Sequence, residues 1–148
     1  MNLPFPYANF VAGFLVLLVG FIFHWLGQLI SLCNWDLAVR IGIAEKDILP
    51  EYQDYERGMA AADAAIGWIY GLAGLGLLWG APWGFRLAWF PGVIFTYHGL
   101  SFWFWTGNQI RAGHRLHSQA LRRGWCLANL VTGLLALLVA WWGCGALP

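Results

Sequence analysis

Residues 10–32 read FVAGFLVLLVGFIFHWLGQLISL, from Phe10 to Leu32. No Asp, Glu, Lys or Arg interrupts the stretch, and about 20 apolar residues suffice to carry a helix across a bilayer's hydrocarbon. The run does not alternate polar and apolar residues, so a barrel strand is excluded. Working outward, three further runs of this kind lie at about 59–79, 87–106 and 125–142. Together they predict an all-α membrane protein, a bundle of four transmembrane helices forming one domain over residues 1–148.

Composition supports that expectation. The chain is 60% hydrophobic and 10% charged, with a mean hydropathy of +0.61, whereas soluble domains carry about 25% charged residues. So much apolar surface also excludes a disordered chain. The net charge of +1 offers nothing to a polyanion, so no nucleic-acid partner is expected. Cys33, Cys126 and Cys144 form no CxxC pair, which excludes a redox dithiol and covalently attached haem. The N-terminal MNLPFPYANF lacks a basic leader region, so the first run reads as a retained span.

The connections differ in chemistry. Asn34–Gly58 is the long loop, and Trp35–Ile41 within it reads as a short interfacial helix with Asp36 and Arg40 one turn apart. Next comes the acidic, aromatic stretch Leu49–Glu56, where Pro50 is expected to break any helix. Gly80–Arg86 reads as a tight hairpin and Gly107–Gly124 as a basic loop containing His114 and His117. Arg40, Lys46 and Arg57 fall in the first loop, and Arg111, Arg115, Arg122 and Arg123 in the third; Arg86 is alone in the second. The positive-inside rule then places loops one and three in the cytoplasm and both termini outside.

Polar groups inside spans are expensive, and their placement marks the candidate site. His24 and Gln28 lie in span one, Asp63 in span two, Tyr97, His98 and Ser101 in span three, and Asn129 and Thr132 in span four. His24 and His98 sit roughly 13–15 Å from the cytoplasmic end, at 1.5 Å per residue. Gly13, Gly20, Gly27 and Ser31 share the His24–Gln28 face, Gly67, Gly71 and Gly74 the Asp63 face, and Gly133, Ala136 and Ala140 the Asn129 face. Small residues mark helix contacts in membranes, so the polar groups are expected to point inward. The ligand-binding candidates are therefore His24, Gln28, Asp63, Tyr97, His98 and Asn129. An ionised Asp63 should seek a histidine, Gln28 or Asn129. The histidines invite comparison with a bis-imidazole haem or pigment site. Similar depth of His24, Asp63 and His98 alone assigns no metal. Trp103, Trp105, Trp125, Trp141 and Trp142 read as an interfacial belt. No nucleotide loop or nucleophile motif occurs, so no catalytic residue is assigned.

Ile48-Leu49-Pro50-Glu51-Tyr52-Gln53-Asp54-Tyr55, the Asp in span two with its Gly/Leu run, and Gly99-Leu100 with Phe102-Trp103 resemble a pattern in small uncharacterised bacterial four-helix membrane proteins. That resemblance implies a bacterial inner-membrane location and no particular activity; the group's aromatic–Asn–aromatic stretch before the Asp is absent here. Pro91-Gly92-Val93-Ile94-Phe95-Thr96-Tyr97-His98 is similar to the last-helix motif of the sterol-isomerase and sigma-2 receptor superfamily. This second resemblance implies a cytoplasm-facing polar cavity for amphipathic amines or sterols, without that family's paired acids. The expectation is a non-enzymatic protein that binds a small amphipathic ligand or serves as a subunit of a membrane assembly or homo-oligomer. The runner-up is a haem- or pigment-binding or isomerase-like enzyme using His24, Asp63 and His98.

Overall fold

The computed structural model describes residues 4–44, 50–114 and 119–145, except for the side chains at 50–52 and 144. Lys46, Ile48, Leu49, Arg115 and His117, and the side chains of Glu51, Tyr52 and Cys144, fall outside them. Among the described residues the secondary structure is entirely helical. Helix α1 is Ala8–Cys33, α2 Trp35–Arg40, α3 Pro50–Ile66, α4 Trp68–Leu78, α5 Pro82–Leu87, α6 Trp89–Arg111 and α7 Gln119–Gly145. By length and composition two helices are able to cross a membrane, Ala8–Cys33 and Gln119–Gly143. The pair Gln53–Ile66 and Trp68–Leu78 makes a third if its 44° bend lies within one span. Helix α6 is long enough, but Thr96, His98, Ser101, Thr106 and Asn108 make it less apolar.

Several local features depart from expectation. Pro50 opens α3 rather than breaking a helix, because its missing N–H costs nothing in a first turn. The acidic stretch after it is therefore helical and runs on into Asp63. The Gly80–Arg86 connection contains α5, and much of the basic third loop is taken up by the ends of α6 and α7. The short helix α2 forms as expected, with the Asn34 side chain accepting a hydrogen bond from Leu37 N–H at 3.0 Å. Arg57 of α3 lies over the Trp35 ring, 5.7 Å from its centroid, and ties α2 down.

Glycines set the packing. Across α1 and α4, Trp25 fills the space over Gly67, Phe21 over Gly71 and Leu17 over Gly74. At the far end, a Cβ on Gly13 would lie 2.8 Å from the Gly74 carbonyl oxygen. Large residues of one helix thus descend into a glycine row on the other. Helices α6 and α7 interlock the same way, with Leu137 over Gly92 and Leu130 over Gly99. The α6–α7 contacts repeat at seven residues on both helices, the spacing of a knobs-into-holes seam. Gly133 comes so close that an added Cβ would be 2.6 Å from the Thr96 backbone nitrogen.

The interior is layered along the bundle. One end holds a small-residue layer of Ala8, Ala12, Leu77, Phe85, Ala88, Val139 and Ala140. Above it Val16, Tyr70, Ala73, Phe95 and Ala136 form a bulkier layer. Above that are His24, Asp63 and His98, and then a cavity at the end bearing most of the arginines. There Arg122 of α7 lies 4.0 Å over the Trp103 ring and donates hydrogen bonds to Thr106 Oγ1 and the Trp103 carbonyl of α6.

Gly133 meets backbone, which cannot swing aside as a side chain can. Gly133→Ala should therefore cost about 1–3 kcal/mol through overpacking. Leu134→Ala, at a position 56% exposed for the native leucine in the described chain, should cost much less. Thermal unfolding of both variants in detergent checks the order; equal losses would mean that α6 and α7 do not meet at this glycine.

Candidate functional site

Three helices bring one residue each to the cluster. His24 comes from α1, within Val16–Trp25, where the backbone adopts π-helical geometry. Such widened turns recur at functional sites because they redirect side chains. Here the wide turn admits the Phe95 ring against Gly20, whose added Cβ would lie 2.7 Å from Phe95 Cζ. Asp63 stands one turn before the bend at Gly67. A side chain at Gly67 would strike the Trp25 ring, so the close approach requires glycine. The Trp25 indole N–H donates to the Ala64 carbonyl at 2.9 Å, satisfying an acceptor beside the bend. His98 comes from the middle of α6.

The carboxylate lies between two imidazoles. His24 Nε2 is 3.2 Å from Asp63 Oδ2, and His98 Nε2 is 3.6 Å from Asp63 Oδ1. His24 and Asp63 are each only 5% exposed, while the His98 side chain is 18% exposed and borders the cavity. Despite the short separation, neither His24 Nε2 nor Asp63 Oδ2 has an aligned hydrogen-bond partner. The His24 ring packs edge-on against Phe95 at 5.7 Å and stacks with Trp125 at 6.3 Å. Aromatic rings cover much of its surroundings and keep water away, which strengthens any electrostatic interaction made there.

The cavity above the cluster has a volume of about 670 Å³. His24, Gln28, Glu56, Asp63, His98 and Ser101 are among its polar lining, and Ile22, Phe23, Leu26, Phe102 and Trp125 are among its apolar walls. The six sequence candidates thus divide. His24, Asp63 and His98 meet, and Gln28 joins them at the cavity wall. Tyr97 points outward, 61% exposed, because it is adjacent to His98 on α6 and so faces away from it. Asn129 is buried outside the cavity lining and donates to the Trp125 carbonyl at 2.8 Å.

Two participants escaped the sequence reading. Tyr70 is fully buried with its hydroxyl unpartnered, beneath His24. It lies seven residues after Asp63, two helical turns along the same face, a spacing that identifies it. Trp125, read as part of an aromatic belt, instead lines the cavity against His24. No protein-family model, curated protein or solved structure matches the chain. The two resemblances therefore rest on their quoted motifs alone.

Losing one member of a buried charge pair leaves the other uncompensated, at about 3–5 kcal/mol. In a double-mutant cycle, Asp63→Leu should couple energetically to both His24→Leu and His98→Leu, and not to His114→Leu in the exposed turn after α6. Coupling to only one of the first two would remove the other from the cluster.

Proposed function

We propose that this chain is a four-span protein of the bacterial inner membrane that binds a small amphipathic molecule, its polar head at the His24–Asp63–His98 cluster and its apolar part in the cavity. The observation that carries the reading is the cavity itself, about 670 Å³ with apolar walls and a few convergent polar groups. That size and lining match small-molecule sites generally. The membrane part is supported by the outer surface. Phe10, Phe14, Leu72, Phe104, Leu127 and Leu134 are all exposed, on four different helices. Soluble monomers rarely carry contiguous apolar patches beyond about 300–600 Å². In this reading α1, the bent α3–α4 pair, α6 and α7 are the four spans, α2 lies at the interface, and Trp141 and Trp142 sit in the opposite headgroup region.

The arginine-rich end carries the cavity, so the positive-inside rule turns the opening to the cytoplasm and both termini outward. A haem clasped between His24 and His98 gains no support from the geometry. Both imidazoles approach the same carboxylate, and a porphyrin between them would have to displace Asp63.

Orientation is checked with single-cysteine variants in intact cells, replacing the other cysteines by alanine. An impermeant maleimide should label Trp141→Cys and spare the exposed native Cys33; the reverse pattern inverts the topology. Ligand binding is checked by native mass spectrometry with dodecanol, whose hydroxyl is able to donate to Asp63. One molecule should bind per chain. Asp63→Asn should weaken it about tenfold, the difference between a charge-assisted and a neutral hydrogen bond, and Tyr97→Ala should leave it unchanged. Absent or Asp63-independent binding would reject the ligand reading in favour of a packing subunit of a larger membrane assembly.

A further inference from the structure

We propose that His24, Asp63 and His98 are three ligands of a divalent transition-metal ion, with the remaining coordination position opening into the cavity. The inference rests on the cavity described above, but not on what its apolar part holds. Similar depth on three helices would be weak grounds. The atoms supply the rest, since the two imidazole nitrogens and the carboxylate oxygen all lie within 4.8 Å of one another.

The separations suit a common centre. Around zinc, bonds of about 2.0–2.1 Å to nitrogen and oxygen set neighbouring tetrahedral ligands about 3.3–3.4 Å apart. The two histidine–carboxylate separations are close to that edge, 3.2 Å from His24 to Oδ2 and 3.6 Å from His98 to Oδ1, one imidazole at each carboxylate oxygen. His98, the least buried of the three, is the ligand with room to rotate and close the remaining edge.

His24 Nε2 and Asp63 Oδ2 are close enough to bond, yet neither has an aligned partner. Two buried polar atoms this close, and not aligned on each other, leave both free to face a common ion. A cation there also answers the burial of the carboxylate, whose charge is otherwise costly in such surroundings.

The donor set narrows the ion. Two neutral imidazoles and one carboxylate suit zinc, iron(II) or cobalt(II), whereas calcium and magnesium prefer oxygen alone. Three protein ligands leave a position for water or an exogenous oxygen, as open metal sites do. The cavity lies on that side, with Gln28 and Ser101 on its wall. The head of a bound amphipathic molecule would then be an oxygen donor to the metal.

The test uses full-length, chelator-treated protein in detergent. Zinc(II) is titrated with calorimetry, and cobalt(II) with its visible absorption. One equivalent of each should bind, and cobalt should give the intense bands of a four-coordinate ion. His24→Ala, His98→Ala and Asp63→Asn should each weaken binding at least about tenfold, while His114→Ala should not. Asp63→Asn keeps the side-chain shape and so answers the case in which the alanine variants fail to fold. Absence of saturable one-equivalent binding to the wild-type protein would overturn the proposal. So would binding that persists in all three cluster variants, or that is lost in His114→Ala. If metal fails to bind but dodecanol binds, the amphipathic-ligand reading stands without the metal; the converse result separates them the other way.

Discussion

A carboxylate held away from water needs compensation, and Asp63 has two imidazoles from two other helices beside it. Desolvating a charge costs several kcal/mol, and only well-placed partners offset it. The contact therefore ties α1, α3 and α6 together at one level of the bundle. It also dictates much that surrounds it. The widened turn of α1 sets His24 facing inward, and the bend after Asp63 brings α4 back beneath α1. Trp25 fills that bend and satisfies a carbonyl beside it.

Below the cluster, the described residues close the molecule mainly by apolar packing. Glycine rows on α4, α6 and α7 let helices approach closely enough for Leu17, Phe21, Leu130 and Leu137 to seat against backbone. Phe95 and Tyr70 then form a bulky floor on which His24 rests. Above the cluster, large side chains stand apart and leave the cavity. The same bundle is thus tight at one end and open at the other, with the polar groups at the boundary. A site of this form is screened from solvent on three sides and accessible on the fourth, which suits either an amphipathic head group or an ion with an open coordination position.

Helical character, the short helix α2 and the inward stripes were legible in the sequence because each follows from local chemistry: unbroken apolar runs, the Asp36–Arg40 pair one turn apart, and small residues at helical spacing. Asp63 and the two histidines were legible as a set by depth and by the small-residue faces beneath two of them, which say nothing of distance. Their convergence coincides with a π-helical stretch packed against Phe95 and a bend at Gly67 packed against Trp25. Tyr97 was misplaced because depth carries no information on which face of α6 a residue occupies. Tyr70 was hidden inside an apolar run, although its seven-residue offset from Asp63 marks the face. Pro50 was read as a breaker because a proline signals a helix boundary without saying on which side the helix lies.

The central claim is that one carboxylate faces both histidines. It is tested most directly by carbon–nitrogen dipolar recoupling NMR on protein in bilayers, labelled at aspartate Cγ and at the histidine ring nitrogens. Asp63→Asn and single histidine variants assign the signals. The account predicts strong couplings from Asp63 Cγ to Nε2 of both His24 and His98, reflecting the 3.2 and 3.6 Å oxygen–nitrogen contacts. Coupling to only one imidazole, or to neither, would contradict it.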